Sequence, residues 1–317
     1  MAAQTIPNFF IAGAPKAGTT SLYHQLAQHP DVYMSPVKEP CFFCQEVRPE
    51  NFVPDMRDRV QTHMEAMRGL LDGDLKENMT RGIISRREDY LKLFAKWSGQ
   101  KAIGEGSVFY LWSKAAAKSI AVANPAAKFI IILRHPAERA FSQYIHAISD
   151  AHVSHGFSQH ITEGLRSNGE MGLYYPFLNF GMYSEQIDRY LDHFPRNQLG
   201  IWLYEDTLAS PQNFFREVLT FLGVDPSFIP DSSRRYYQLE VPKALGVSQA
   251  LRRSGIWRGM RNCTPTPLRP ALKKMVYRSR GSFSMSPEDR RFLIEYYRDD
   301  IRRLEHVIER DLSAWLR

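Results

Sequence analysis

The stretch Gly13-Ala-Pro-Lys16-Ala-Gly18-Thr19-Thr20 decides the fold. Before it runs an apolar segment, Asn8–Ala12 (N-F-F-I-A), which reads as a buried strand. After it, Leu22 and Leu26 fall four apart, so a helix is expected from about Thr20, stopped by Pro30. Strand, glycine-containing turn and helix in that order aim backbone N–H groups and the positive end of a helix dipole into the turn, where an anion binds. The spacing imitates G-x-x-x-x-G-K-[ST] with one departure. Thr19 stands at the usual lysine position, and the lysine has moved into the loop as Lys16. The turn is not G-x-G-x-x-G, which argues against a dinucleotide-binding unit.

Outward from this turn the same alternation continues. Lys128–Leu133 (K-F-I-I-I-L) is the most hydrophobic run and reads as a central parallel strand, with Pro136 in the first turn of the following helix. Leu199–Leu203 reads as another strand. Ser210-Pro211 opens a helix by cap and first-turn proline, and Gly223 closes it. Ser286 caps a last helix that begins at Pro287 and carries Leu293, Tyr297, Ile301, Leu304 and Ile308 at helical spacing. The expected fold is α/β: a single domain, residues 1–317, with a central, mainly parallel β-sheet flanked by helices and a P-loop-like phosphate-binding turn. Residues 45–100 are charged and mixed, and read as an irregular or helical excursion.

The composition fits an ordinary globular chain: 317 residues, 44% hydrophobic and 24% charged. It excludes disordered, collagenous and coiled-coil classes. No apolar run reaches the roughly 18 residues of a membrane span, and the N-terminal residues do not read as a secretory signal, so a cytoplasmic protein is expected. The net charge of +7 favours anionic partners. Nine Lys/Arg and no Asp/Glu fall in 252–280, a solvated basic face, a lid or an acceptor surface. Cys41 and Cys44 form C-F-F-C; without further paired Cys/His ligands they read as structural thiols rather than a zinc or redox pair.

Several motifs together resemble the sulfotransferases that use 3′-phosphoadenosine 5′-phosphosulfate (PAPS). A14-P-K-A-G-T-T-S21 is similar to their 5′-phosphosulfate loop. R134-H-P-A-E-R-A-F-S142 is similar to their 3′-phosphate motif, with an arginine ending a strand and a serine eight residues on. K38-E-P-C-F-F43 resembles the K-E-P-x-F-F stretch of the heparan-sulfate branch, and Gly181–Asp206, with G-M-Y and Y-E-D, matches a later stretch of it. The likeness spans roughly Phe9 to Gly223, with a soluble, bacterial-style member implied.

The resemblance implies transfer of the sulfuryl group from PAPS to a hydroxyl or amine of a small-molecule or carbohydrate acceptor, by in-line displacement, leaving PAP and requiring no metal. It implies Lys16 as the group that stabilises the leaving phosphate. Lys16, Ala17, Gly18, Thr19, Thr20 and Ser21 hold the 5′-phosphate; Arg134 and Ser142 hold the 3′-phosphate, joined by Lys243. An arginine suits this task because its planar fork grips two phosphate oxygens. Glu39 is the implied general base, with Lys38 beside it on the sulfuryl oxygens or the acceptor. Glu105, in I103-G-E-G-S-V-F-Y110, is an alternative base, and His135 and His146 rank below Glu39. Gly106 stands where the related heparan-type enzymes have lysine, which weakens a glycan-specific acceptor role. The expected partners are PAPS/PAP and an acceptor, with no nucleic acid and no membrane span; a homodimer is one assembly the relatives imply. Two rival readings stay open at this point. One is an ATP-dependent kinase with a variant loop, using Glu205 and Asp206; the other is a basic nucleic-acid-binding module.

Overall fold

A computed structural model describes residues 6–52, 54–73, 79–80, 82–149, 153, 155–166, 177–231, 240–242, 277–279 and 283–317. Lys243, Cys263 and the basic segment 252–280, apart from Tyr277–Ser279, lie outside them. The chain forms two compact units. The first comprises Met1–His135, Met182–Tyr236 and Asp299–Arg317, the second Pro136–Gly181 and Tyr237–Arg298.

In chain order the elements begin with β1 (Phe9–Gly13), α1 (Thr19–Leu26), β2 (Val32–Met34), β3 (Val37–Lys38), α2 (Pro54–Leu71), β4 (Met79–Thr80), α3 (Arg87–Lys92) and β5 (Ala102–Gly106). They continue with α4 (Phe109–Trp112), α5 (Ala116–Ala123), β6 (Lys128–Leu133), α6 (Pro136–Ser149), α7 (Phe157–Arg166), α8 (Tyr183–Leu191) and β7 (Leu199–Leu203). After these come α9 (Tyr204–Ala209), α10 (Pro211–Leu222), β8 (Glu240–Pro242), β9 (Tyr277–Ser279) and α11 (Pro287–Ile308).

The first unit is built on a five-stranded sheet in the order β2-β5-β1-β6-β7, parallel throughout. Both faces of β1 are buried, as a parallel strand between helical layers requires. Phe9 lies opposite Gly104 of β5, and a Cβ on Gly104 would stand 2.1 Å from the Phe9 ring, so only glycine fits there. Phe10 stacks on Phe129 at 5.6 Å and meets the edges of Phe43 and Tyr110, which gives the core its aromatic centre. β5 and β2 lie on one side of β1 and β6 and β7 on the other. This is the strand-order reversal whose crevice, at the carboxyl ends of the strands, binds ligands in open α/β sheets.

Two terminal signals act differently from the expectation. α1 ends at Leu26, one turn before Pro30, because Gln28 and His29 N–H groups tighten onto Gln25 and Leu26 and the His29 ring takes the Asp31 N–H at 3.0 Å. Ser210 occupies the cap position of α10, but its hydroxyl makes no capping bond. Pro211 sets the start and Gly223, at φ +78°, closes the end. Within the first unit, Asp300 of α11 accepts hydrogen bonds from Tyr183 and Ser184 N–H (2.8 and 3.1 Å) and Ser184 Oγ (2.6 Å), and so caps α8 from another element.

The second unit packs α6 and α7 through Phe141 against Phe157, ring centres 5.0 Å apart. Tyr297 O–H bonds the Leu178 carbonyl at 2.8 Å, β8 and β9 pair antiparallel, and Ser286 Oγ accepts the Asp289 N–H at 3.0 Å, the expected cap of α11.

Candidate active site

The turn after β1 and the start of α1 place the six predicted residues, Lys16 to Ser21, at the carboxyl end of the central strand. Lys16 has φ +68°, a left-handed conformation that is uncommon outside glycine and concentrates at functional positions. Gly18, at φ +84°, is the N-cap of α1, and its carbonyl accepts from Ser21 and Leu22 N–H at 3.0 and 3.3 Å. The amides of Gly18, Thr19 and Thr20 therefore sit where a helix start leaves N–H groups without intrahelical carbonyls. Ala17 and Thr19 are buried, Thr20 half-buried, and Gly18 and Ser21 exposed. Gly18 and Ser21 thus meet solvent while Ala17 and Thr19 anchor the loop in the core.

Arg134 follows β6 at the same sheet edge. Its Nη1 donates to the Lys16 carbonyl at 3.0 Å, and its guanidinium lies over the Tyr204 ring, 4.9 Å from the centroid. Its own carbonyl accepts from the Tyr183 hydroxyl at 2.9 Å. Tyr204, first residue of α9 after β7, also backs Gly18: a Cβ there would meet the ring at 3.2 Å. Three parallel strands thereby deliver Lys16, Arg134 and Tyr204 to one place. Tyr204 was not singled out from sequence beyond its membership of Y-E-D; that motif, at the end of the β7 run, was the available signal.

The second predicted group follows β3. Lys38 is buried and its ammonium pairs with the Glu39 carboxylate. The other Glu39 oxygen accepts the Val108 N–H at 2.9 Å, and the Glu39 N–H bonds the Gly106 carbonyl at 2.8 Å. Glu39 has φ +62° and Cys41 φ +50°. The carboxylate is thus fixed at both oxygens, on a loop held in a strained shape.

Glu105, the alternative base, has 0% exposure. Burial drives its carboxyl up to about 7 against the pull of hydrogen bonds from Tyr110 and Ser107, and the Glu39 charge adds to the rise. Cys41 and Cys44 are buried free thiols; burial and the nearby Glu46 carboxylate push Cys44 up to about 12. Among the described residues no group of three or more His, Cys, Asp and Glu is placed to hold a metal ion. Ser142 is a buried hydroxyl on α6 in the second unit. His135 is buried, its ring 5.9 Å from Trp315, and its N–H bonds Glu205 Oε1 at 3.3 Å. Asp206 pairs with Arg310 at 2.9 Å. His146 is half-buried in the last turn of α6.

The chain belongs to the sulfotransferase family, whose pattern matches residues 7–228. It is 28% identical over 326 residues to bifunctional heparan sulfate N-deacetylase/N-sulfotransferase 3 of Homo sapiens, an alignment covering 98% of this chain and 31% of that protein. Against carbohydrate sulfotransferase 15 of Mus musculus it is 25% identical over 260 residues, covering 70% of this chain and 44% of the other. The chain therefore spans about a third to under a half of the length of these relatives. Among solved structures, a sulfotransferase from Alicyclobacillus acidocaldarius superposes with a TM-score of 0.72 at 30% identity, covering 99% of this chain and all of that one. No helix among the described residues is long and apolar enough to cross a membrane.

Proposed function

We propose that the whole chain acts as one PAPS-dependent sulfotransferase domain, delivering a sulfuryl group to a hydroxyl or amine of a small-molecule or carbohydrate acceptor. The observation that carries this reading is the Lys16 loop bound through its carbonyl to Arg134. The Arg134 guanidinium, the Lys16 loop and the amides at the start of α1 meet there, a donor set suited to a ligand with separated phosphates. The donor supplies an activated sulfur whose bond to the 5′-phosphate oxygen breaks as the acceptor's bond forms. Lys16 neutralises charge growing on the leaving phosphate, while Gly18, Thr19, Thr20 and Ser21 bind it with Ala17 buried beneath. Arg134 takes the 3′-phosphate; Ser142 and Lys243 are assigned to the same phosphate on the sequence pattern alone. Glu39 removes the acceptor proton, and Lys38 holds its carboxylate and faces the sulfuryl oxygens.

Family membership and the displaced lysine favour this chemistry over phosphoryl transfer. Glu205 and Asp206, the acidic pair a kinase would need, are engaged by the His135 N–H and by Arg310. A cytoplasmic setting and a homodimer, both expected from the sequence, belong to the proposal.

The test is transfer of ³⁵S from labelled PAPS to a panel of phenols, sugars, amines and N-deacetylated heparosan oligosaccharides. Label on at least one class, lost in Lys16→Ala, is the expected result. No label on any class, together with no PAP binding, would overturn the proposal.

A further inference from the structure

Glu105 occupies the end of β5 with 0% exposure, and hydroxyls from three places converge on it. Tyr110 O–H donates to Oε1 at 2.6 Å, Tyr90 O–H to Oε1 at 3.3 Å, and Ser107 Oγ–H to Oε2 at 2.8 Å. Two of these hydroxyls carry a second bond. Ser107 Oγ accepts the Cys41 N–H at 3.0 Å, and the Tyr110 oxygen accepts the Phe43 N–H at 3.3 Å. One buried carboxylate therefore orients two hydroxyls, and these grip alternate amides of Lys38–Phe43. That loop needs holding, because Glu39 and Cys41 both lie in the left-handed region, which persists only where the surroundings over-determine it. A carboxylate with three hydroxyl donors and no exposure is placed to hold rather than to meet an acceptor.

We infer that Glu105 is a positioning residue for sulfuryl transfer: through Ser107 and Tyr110 it fixes the loop that presents Lys38 and Glu39. The inference rests on the proposed role of Glu39 as base. Ionised, Glu105 accepts from all three hydroxyls and leaves the Ser107 and Tyr110 lone pairs turned to the loop amides. With the carboxylate replaced by an amide, its NH₂ competes as a donor and the hydroxyls must turn.

The test compares full-length wild type with Glu105→Gln, Ser107→Ala, Ser107→Thr, Tyr110→Phe and Glu39→Gln. Deuterium exchange is followed in the peptide covering 38–44, with PAP affinity and ³⁵S transfer to the acceptor class found above. Ser107→Ala and Tyr110→Phe, mild enough to fold if Glu105→Gln does not, are expected to speed exchange at 38–44 at least tenfold. They should cut transfer tenfold or more while PAP affinity stays within twofold, and Ser107→Thr should restore both. Unchanged exchange at 38–44 in the folded variants would overturn the inference, as would PAP affinity falling in step with transfer. Wild-type transfer by Glu39→Gln would remove the base assignment alone. The exchange result would still judge the grip of Glu105 on the loop.

Discussion

Arg134 donates from Nη1 to the carbonyl oxygen of Lys16 at 3.0 Å, so the arginine after β6 fixes the backbone of the lysine after β1. The cation proposed for one phosphate thereby shapes the loop proposed for the other. The contact explains how a lysine keeps φ +68° in an open turn.

Arg134→Ala is expected to weaken PAP binding ten- to a hundredfold, the equivalent of losing charge-assisted bonds worth about 1.5–3 kcal/mol. Arg134→Lys should recover little of it, since an ammonium cannot bond the carbonyl and a phosphate as a planar fork does. Calorimetric titration with PAP measures both; unchanged affinity would remove Arg134 from the site.

Gly18→Ala forces a Cβ into the left-handed region and to within 3.2 Å of Tyr204. A stability loss of about 1–2 kcal/mol is expected from the backbone alone. PAP affinity should fall with it, because the Gly18 amide is among the groups proposed to bind the 5′-phosphate. Urea unfolding with and without PAP measures the two effects separately.

Glu39→Gln keeps the hydrogen bond from Val108 but cannot take a proton. Transfer is expected to fall about 10²–10⁴-fold with little change in PAP affinity. Steady-state rates beside PAP titration decide it; an equal fall in both would make Glu39 structural.

Two buried groups give opposite pH dependences. Glu105 is raised from 4.5 to about 7, so the folded state holds its proton more tightly. Its contribution is complete below 4.5 and is lost as pH rises through 7, a decline of about 3 kcal/mol that Glu105→Gln should abolish. His160 is lowered from 6.5 to about 3, by burial first and the neighbouring His155 second. Its contribution is present above 6.5 and is lost as pH falls towards 3, and His160→Asn should flatten that acid limb. Urea midpoints from pH 4 to pH 8 for wild type and each variant test both signs.

Iodoacetamide at pH 7.5 is expected to leave Cys41 and Cys44 unmodified in the native protein and to label both in urea, since only thiolates react. Peptide mapping distinguishes them from Cys263.

Elements whose pattern is local were legible in the sequence. β6 and β7 run as read, Lys128–Leu133 and Leu199–Leu203, because each is a largely apolar run; β6 is buried on both faces, while β7 at the sheet edge leaves Ile201 and Trp202 half-buried. The cap of α11 by Ser286 is a contact between near neighbours. β5 was not legible. Two glycines and a glutamate make a poor strand on propensity, and its place depends on Phe9 filling the space over Gly104 and on hydroxyls from α3 and α4 meeting Glu105. α2 hides in a polar, methionine-rich stretch whose Met67 and Leu71 join a cluster with Val37, Tyr90 and Phe94 from distant segments. At the candidate site, Lys16, Arg134 and Glu39 stand out in the sequence as charged residues in spaced motifs. Tyr204 was not, since an aromatic ring shows its role only when folding brings it beneath Gly18 and Arg134.

The most direct test of the central claim is a thermal-shift comparison of PAP, AMP and ATP–Mg²⁺ on wild type and Lys16→Ala. At a hundredfold over its dissociation constant a ligand adds about 2.7 kcal/mol. The account predicts that PAP stabilises wild type without Mg²⁺, that AMP does not match it, and that Lys16→Ala loses much of the effect. Stabilisation by ATP–Mg²⁺ alone would contradict it and make the displaced lysine that of a phosphoryl-transfer enzyme.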